Sequence, residues 1–124
     1  MQKIVYTVST ALSALALIGT IGFSTSVTAA DKKMDPIEKG KKIAFNKKKG
    51  NCLACHLIPG GDQPGNIAPP LIGMKGRFPD RAKLRAQISE PRTANPNSMM
   101  PPFSAHGVLS EKEIDLVVDY IHTL

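Results

Sequence analysis

The chain has 124 residues, 16 of them basic and 10 acidic for a formal net charge of +6, with two cysteines and no tryptophan. That length holds one domain once any export segment is set aside, and such a domain buries only about two thirds of the surface its unfolded chain exposes. Two cysteines exclude a disulfide-dense scaffold and a four-thiolate zinc site.

Residues 1–30 read as a secretory signal. Lys3 supplies a thin positive start, Ile4 to Phe23 is an uncharged, mostly apolar run, and Ser24 to Ala30 ends in small residues, with cleavage expected after Ala29 or Ala30. About twenty residues also match the length of a bilayer span. Serine, threonine and glycine dilute this run, so cleavage is expected and no stable membrane anchor. No cysteine follows the cleavage region, so a lipid-anchored mature end is not indicated. Residues 31–124 form the expected domain.

Asp35-Pro36-Ile37-Glu38 reads as a helix start, with Asp35 as cap, Pro36 at the first helical position and Glu38 completing a capping-box-like arrangement. The helix is expected to run to about Lys49 and to stop at Gly50 as a left-handed residue. Ile37, Gly40, Ala44 and Phe45 form its inward face, and Gly40 and Ala44 leave room for another helix to cross closely. Lys39, Lys41, Lys42, Lys47, Lys48 and Lys49 give it a basic face. They fit a solvated surface, with Lys47–Lys49 well placed at a helix C-terminus, or a docking surface for an acidic partner. Nucleic acid is not expected as that partner for an exported chain.

Gly50-Asn51-Cys52-Leu53-Ala54-Cys55-His56 follows, and C-x-x-C-H is the attachment sequence for covalent c-type haem. Two thiols three positions apart lie on one side of a helical turn, so Cys52 and Cys55 can each add to a vinyl group on one edge of the macrocycle. His56 is then carried under the iron. A zinc ribbon needs a second ligand pair, a thioredoxin-like pair needs a βαβ setting, and a plain disulfide leaves His56 without a role.

Leu57 to Arg77 is rich in glycine and proline, has little periodicity, and reads as an irregular loop. Pro79-Asp80-Arg81 begins a second helix, with Asp80 as cap, Leu84, Ile88 and the stem of Arg85 inward, and Pro91 as its end. Thr93 to Phe103 is a second irregular loop. Ser110-Glu111-Lys112-Glu113 is a capping-box pattern for the last helix. Ile114, Val117, Val118 and Ile121 fall at i, i+3, i+4 and i+7, and Leu116, Tyr120 and Leu124 widen the stripe. An all-α domain follows, in which the first helix crosses the last through Gly40 and Ala44 against Val117 and Tyr120. Haem would sit in the crevice below, with two proline-rich loops closing its faces.

The iron needs a ligand opposite His56 or an open site. Candidates are Met34, Met74, Met99, Met100, His106 and His122. Met99 and Met100 sit in a polar loop held by Pro101-Pro102, which can present a thioether at fixed depth. His106 is their main competitor, and His122 reads as a surface histidine. A methionine ligand raises the potential relative to a second histidine and suits electron transfer. No nucleophile–base pair, phosphate-binding loop or paired-carboxylate signature points to other catalytic chemistry.

Gly65-Asn66-Ile67-Ala68-Pro69-Pro70-Leu71 resembles the G-x-x-G-P-x-L stretch of small class I cytochromes c, with Ala68 where glycine is usual. That resemblance implies a Pro69 carbonyl accepting a hydrogen bond from His56 Nδ1–H, a contact that fixes the ring and raises its basicity. The haem motif together with Ile58-Pro59-Gly60-Gly61, Gln63-Pro64-Gly65-Asn66-Ile67, Asn95-Pro96, Met100-Pro101-Pro102-Phe103 and Leu109-Ser110-x-x-Glu113-Ile114 resembles the SoxX family over most of residues 35–124. Members of that family are the monohaem c-type subunits of the SoxAX cytochromes of bacterial sulfur oxidation.

The resemblance implies a class I cytochrome c-like fold around one covalent haem c, a periplasmic location, and Met100 as the distal iron ligand beside His56. It also implies a heterodimer with a SoxA-type cytochrome that carries the catalytic haem. In such complexes, of the L-cysteine S-thiosulfotransferase type, thiosulfate is joined oxidatively to a cysteine of a SoxYZ-type carrier. The SoxX-like chain then accepts electrons and passes them to a small acceptor cytochrome, without making the new bond itself. The alternative is a free-standing soluble electron-carrier cytochrome c with the basic helix as its docking face.

Overall fold

A computed structural model describes residues 34–124, so the expected export segment 1–30 lies outside the described residues. The described residues hold four helices: α1 (Pro36–Phe45), α2 (Met74–Arg77), α3 (Arg81–Ser89) and α4 (Glu111–Ile121). Two short 3₁₀ turns, Cys52–Ala54 and Pro91–Thr93, complete the regular structure, and no strand occurs among the described residues.

α4 organises the rest. Ser110 Oγ accepts from the Glu113 N–H at 3.3 Å, and Glu113 Oε2 accepts from the Ser110 N–H at 2.9 Å, the reciprocal cap expected from S-x-x-E. Ile114, Val117, Val118, Tyr120 and Ile121 are buried along one face. Met74, Leu84, Ile88, Phe103 and Leu109 pack into the same core.

α1 crosses α4 where Gly40 meets the backbone of Leu116. A Cβ at Gly40 would overlap the Leu116 carbonyl oxygen and stand 2.9 Å from Tyr120 Cβ. The crossing expected at Val117 is therefore made by the Leu116 carbonyl and Tyr120. Ala44 is fully buried, and the Phe45 and Tyr120 rings meet edge to face at 6.1 Å between centroids.

The first helix ends earlier than the lysine run implies. Its N-terminus is capped by Asp35, which accepts from the Ile37 N–H at 3.2 Å. At the other end, Asn46 leaves the helical region with ψ 117°. Its side chain accepts from the Lys48 N–H at 2.8 Å, and its carbonyl accepts from the Lys49 and Asn51 N–H groups at 2.9 and 3.1 Å. Asparagine offers the backbone a local alternative to the helix, and the chain takes it. The left-handed residue is Asn51, at φ 47°, rather than Gly50. Lys47–Lys49 thus belong to a turn and not to the last turn of a helix.

α3 carries the expected cap, Asp80 accepting from the Ala82 N–H at 2.8 Å, and buries Leu84 and Ile88. Arg85 works through its charged end. It pairs with Asp115 at 2.9 Å and Glu111 at 2.6 Å on α4, while Arg81 reaches Asp119 at 2.6 Å.

Within the stretch expected to be irregular, Gly73 at φ 61° opens the single turn of α2 and sends Met74 into the core. The Met74 N–H donates to the Leu124 carbonyl at 2.7 Å. His122, expected on the surface, is half-buried instead, with Nε2 2.9 Å from the Phe78 carbonyl oxygen.

Candidate functional site

Beyond the α1–α4 crossing, the chain encloses a cavity of about 760 Å³, within the roughly 300–1,000 Å³ typical of ligand sites. Cys52, Cys55 and His56 line it, as do Met100 and Phe103 from the second proline-rich loop. Leu84, Ile88, Val117 and Ile121 give it apolar walls continuous with the core. Lys47, Lys48, Lys49, Asn51, Arg77 and Ser98 supply its polar lining.

The Cys52–Ala54 turn sets the attachment geometry. The Cys52 carbonyl accepts from the Cys55 N–H at 3.3 Å and the His56 N–H at 2.9 Å, closing one tight turn that holds the three side chains on the cavity wall. Burial pushes the Cys52 thiol up to about 11, helped by nearby Cys55 and opposed by a backbone hydrogen bond. A thiol so placed stays uncharged at neutral pH. A redox-active C-x-x-C requires the reverse, a lowered thiol pKa.

The first loop runs beside this motif. Leu53, Cys55 and Leu57 use alternate carbonyls to accept from the Gly65, Ala68 and Leu71 N–H groups at 2.7, 3.1 and 2.9 Å. A Cβ on Gly65 would collide with the Ala54 carbonyl oxygen and stand 2.8 Å from Cys55 Cα, so only glycine permits this approach. Ala68, where glycine was anticipated, does not have positive φ, and its methyl group is tolerated.

Two residues on, the Pro69 carbonyl oxygen lies 2.6 Å from His56 Nδ1. A carbonyl can only accept, so Nδ1 carries the proton, and Nε2 of the neutral ring keeps its lone pair for a metal. Among the described residues no group of three or more His, Cys, Asp or Glu side chains could hold a bare metal ion.

The ligand candidates separate by position. Met100 and Met99 both line the cavity, but Met100 is half-buried and packs against the core whereas Met99 is 89% exposed. His106 is exposed and does not line the cavity. Met34 also lies away from it, and the ring of His122 is engaged with Phe78. Met74 does reach the cavity, but its sulfur accepts from Arg77 Nη1 at 3.6 Å.

Arg77 was not singled out in the sequence. Its Nη1 also donates to the Pro70 carbonyl at 2.5 Å, so it braces the loop beside His56 Nδ1 from within the cavity. The available signal was its placement, with Lys75, after the uncharged stretch from Gln63 to Met74.

Two thiols, an imidazole nitrogen, a half-buried thioether, apolar walls and cationic polar edges fit a covalent haem. Such a group is apolar over most of its area and has a charged rim.

Comparison with known proteins gives the family. A family model described as cytochrome c matches residues 37–124. A crystal structure of SoxXA from P. pantotrophus resembles the chain with a TM-score of 0.63 and 29% identity, covering 69% of this chain and 79% of that one. An uncharacterised lipoprotein of Aquifex aeolicus (strain VF5) is 36% identical over 94 residues, which is 69% of this chain and 44% of that protein. The chain therefore spans less than half the length of this curated relative.

Proposed function

The chain belongs to the cytochrome c family, as an electron-transfer cytochrome of SoxX type carrying covalent haem c, and from that premise we propose that it is the electron-accepting subunit of a SoxAX-type complex. One haem would be held by thioether bonds to Cys52 and Cys55, with His56 Nε2 and the Met100 thioether as its iron ligands. The chain would reach the periplasm after losing residues 1–30. There it would pair with a SoxA-type cytochrome, take electrons as thiosulfate is joined to a cysteine of a SoxYZ-type carrier, and hand them to a small acceptor cytochrome.

One observation carries the reading: the 2.6 Å contact between His56 Nδ1 and the Pro69 carbonyl, on the wall of the cavity that also receives Cys52, Cys55 and Met100. Haem, when bound, supplies one-electron exchange. The protein's own part is positional. Pro69 fixes the His56 ring and its proton, a contact that makes the ligating nitrogen more basic. Cys52 and Cys55 would each form a thioether by adding S–H across one vinyl group, sulfur to one carbon and hydrogen to the other. Leu84, Ile88, Val117 and Ile121 keep water from the centre, and the Met100 thioether would give the bound haem a higher potential than a second imidazole would.

The test is co-expression of the full chain with a SoxA-type cytochrome. A stable one-to-one complex whose haem in this chain is reduced on addition of thiosulfate and SoxYZ-type carrier is the expected result. A chain that stays monomeric beside that partner sinks the subunit assignment. Intact mass should show one haem added and residues 1–29 or 1–30 removed.

A further inference from the structure

The loop that carries Met100 is tied to the rest of the chain unevenly. On the N-terminal side of Met100 the hydrogen bonds stay local. The Asn95 N–H donates to the Pro91 carbonyl at 3.0 Å and the Ser98 N–H to the Asn95 carbonyl at 2.9 Å. The Asn97 N–H donates to Asn95 Oδ1 at 3.0 Å, and the Met100 N–H to Ser98 Oγ at 3.2 Å. Among the described residues no hydrogen bond joins 95–101 to α1, α3 or α4.

On the C-terminal side the anchoring is concentrated at Ser104. Its N–H donates to the carbonyl of Ser89, the last residue of α3, at 3.2 Å. Its hydroxyl donates to Oε1 of Glu111, the first residue of α4, at 2.5 Å. Glu111 Oε2 accepts from Arg85 Nη2 of α3 at 2.6 Å, and Arg85 Nε donates to Asp115 at 2.9 Å. One loop residue is thereby joined to both helices that wall the cavity. Between it and Met100, proline fixes φ at positions 101 and 102, and Pro102 and Phe103 are buried. A displacement of Ser104 is therefore passed back to Met100 through a short, stiff segment.

Ser104 foremost, then Arg85, holds the Glu111 carboxyl below the usual carboxylate range. The acceptor is an anion at neutral pH, and hydrogen bonds to ionised acceptors are the strong ones. The Glu111 side chain is 62% exposed, so its pairing adds little to global stability. What it governs is local, the ease with which one loop opens while the helices stay folded.

We propose that Ser104 and Glu111, the latter set by Arg85, are positioning residues for Met100: they latch the loop that presents its thioether and so decide how readily that face of the cavity opens to a competing ligand. The proposal rests on the reading of Met100 as an iron ligand. It adds what keeps that ligand in place.

The test is the rate at which added imidazole displaces Met100 in the oxidised holoprotein, read as loss of the methionine–iron(III) charge-transfer band. Ser104→Ala and Glu111→Ala should each speed displacement by ~5-fold or more, with an unfolding midpoint close to the parent's. Ser104→Thr keeps a hydroxyl and should restore the parent rate. Asp119→Ala removes an equally short α3–α4 ion pair, Arg81 to Asp119 at 2.6 Å, that does not reach the loop, and it should change the rate less than ~2-fold. Equal acceleration in Ser104→Ala and Asp119→Ala would report a general loosening of α3 against α4 and overturn the proposal. An unchanged rate in Ser104→Ala overturns it as well. A Met100→Ala holoprotein that keeps the parent's band would end the ligand reading instead. The latch is then judged on hydrogen exchange at the Met100 and Ser104 amides, expected to be faster in Ser104→Ala than in Asp119→Ala and overturning the proposal if the two variants match.

Discussion

The two halves of this molecule are built on different terms. On the α1–α4 side, helix starts are set by their own neighbours: Asp35 for α1, Asp80 for α3, and the Ser110–Glu113 box for α4. The space between these helices is filled by aliphatic side chains and by one backbone-to-backbone contact at Gly40. On the cavity side, the bonds run between loop segments that lack regular structure, as from Gly65 to Leu53 and from His56 to Pro69, and they line a cavity of about 760 Å³. The first half is specified by local sequence. The second is specified by hydrogen bonds from loop to loop across the cavity wall.

Removing the anchor tests that contrast most severely. Cys52→Ser with Cys55→Ser should leave no covalent haem on a denaturing gel. In a domain this small the cavity half has no substitute for it, so the cooperative thermal transition should also be lost. A haem-free double variant that still melted in one sharp step would show that the loops are self-supporting and would break the comparison.

The next effect falls on one residue of a neighbouring pair. Met100→Ala should abolish the methionine–iron(III) charge-transfer band and lower the reduction potential, whereas Met99→Ala, at a site 89% exposed, should leave both unchanged. The reverse pattern would assign the ligand to Met99 and would mean that the loop turns over when haem binds.

Two glycines make a matched pair across the halves. Gly40→Ala drives a methyl group into the Leu116 carbonyl, and Gly65→Ala into the Ala54 carbonyl. Neither neighbour is a flexible side-chain tip, so each should cost ~1–3 kcal/mol. They should differ in where the cost is read. Gly40→Ala lowers the unfolding midpoint with an unchanged haem spectrum, while Gly65→Ala also disturbs the spectrum, since it shifts the strip that carries Pro69. Identical spectra in both variants would mean the loop and the motif are not coupled.

What could be read from the chain follows the same division. The α4 stripe, its capping box and the Asp35 and Asp80 caps are local patterns, and the structure has each where periodicity and spacing put it. The end of α1 was misjudged because the lysine run continues the composition of a helix, while the decisive residue, Asn46, acts through hydrogen bonds to Lys48, Lys49 and Asn51 that composition does not reveal. Met74 and His122 depend on distant partners, the Leu124 and Phe78 carbonyls, and sequence gives no sign of such pairs. In the cavity, C-x-x-C-H stood out in the chain by its spacing, and Cys52, Cys55 and His56 all line the cavity. Arg77 did not stand out, because its role needs Pro70 and Met74 folded against it.

The smallest expected effect lies where the halves meet. Lys49, on the turn after α1, donates to Glu113 Oε1 at 2.8 Å, while Glu113 Oε2 accepts from the Ser110 N–H at 2.9 Å. Lys49 foremost, then Ser110, holds the Glu113 carboxyl at about 2 instead of 4.5. A folded-state value below the unfolded one means the contribution is complete above about pH 4.5 and is lost as pH falls toward 2. The two side chains are 43% and 25% exposed, so solvent screening limits the pair to ~1 kcal/mol or less. Lys49→Ala should therefore cost under ~1 kcal/mol in urea unfolding at pH 7, with the difference from the parent shrinking steadily as pH is lowered. Lys49→Ala leaves the Ser110–Glu113 box in place at pH 7, so helicity there should be unchanged. Lys48→Ala, one residue away and without an ion pair, should show no such pH-dependent cost. If the Lys49→Ala deficit were the same at every pH, its stem and not its charge would be joining the turn to α4, and the seam between the two halves would be packed rather than paired.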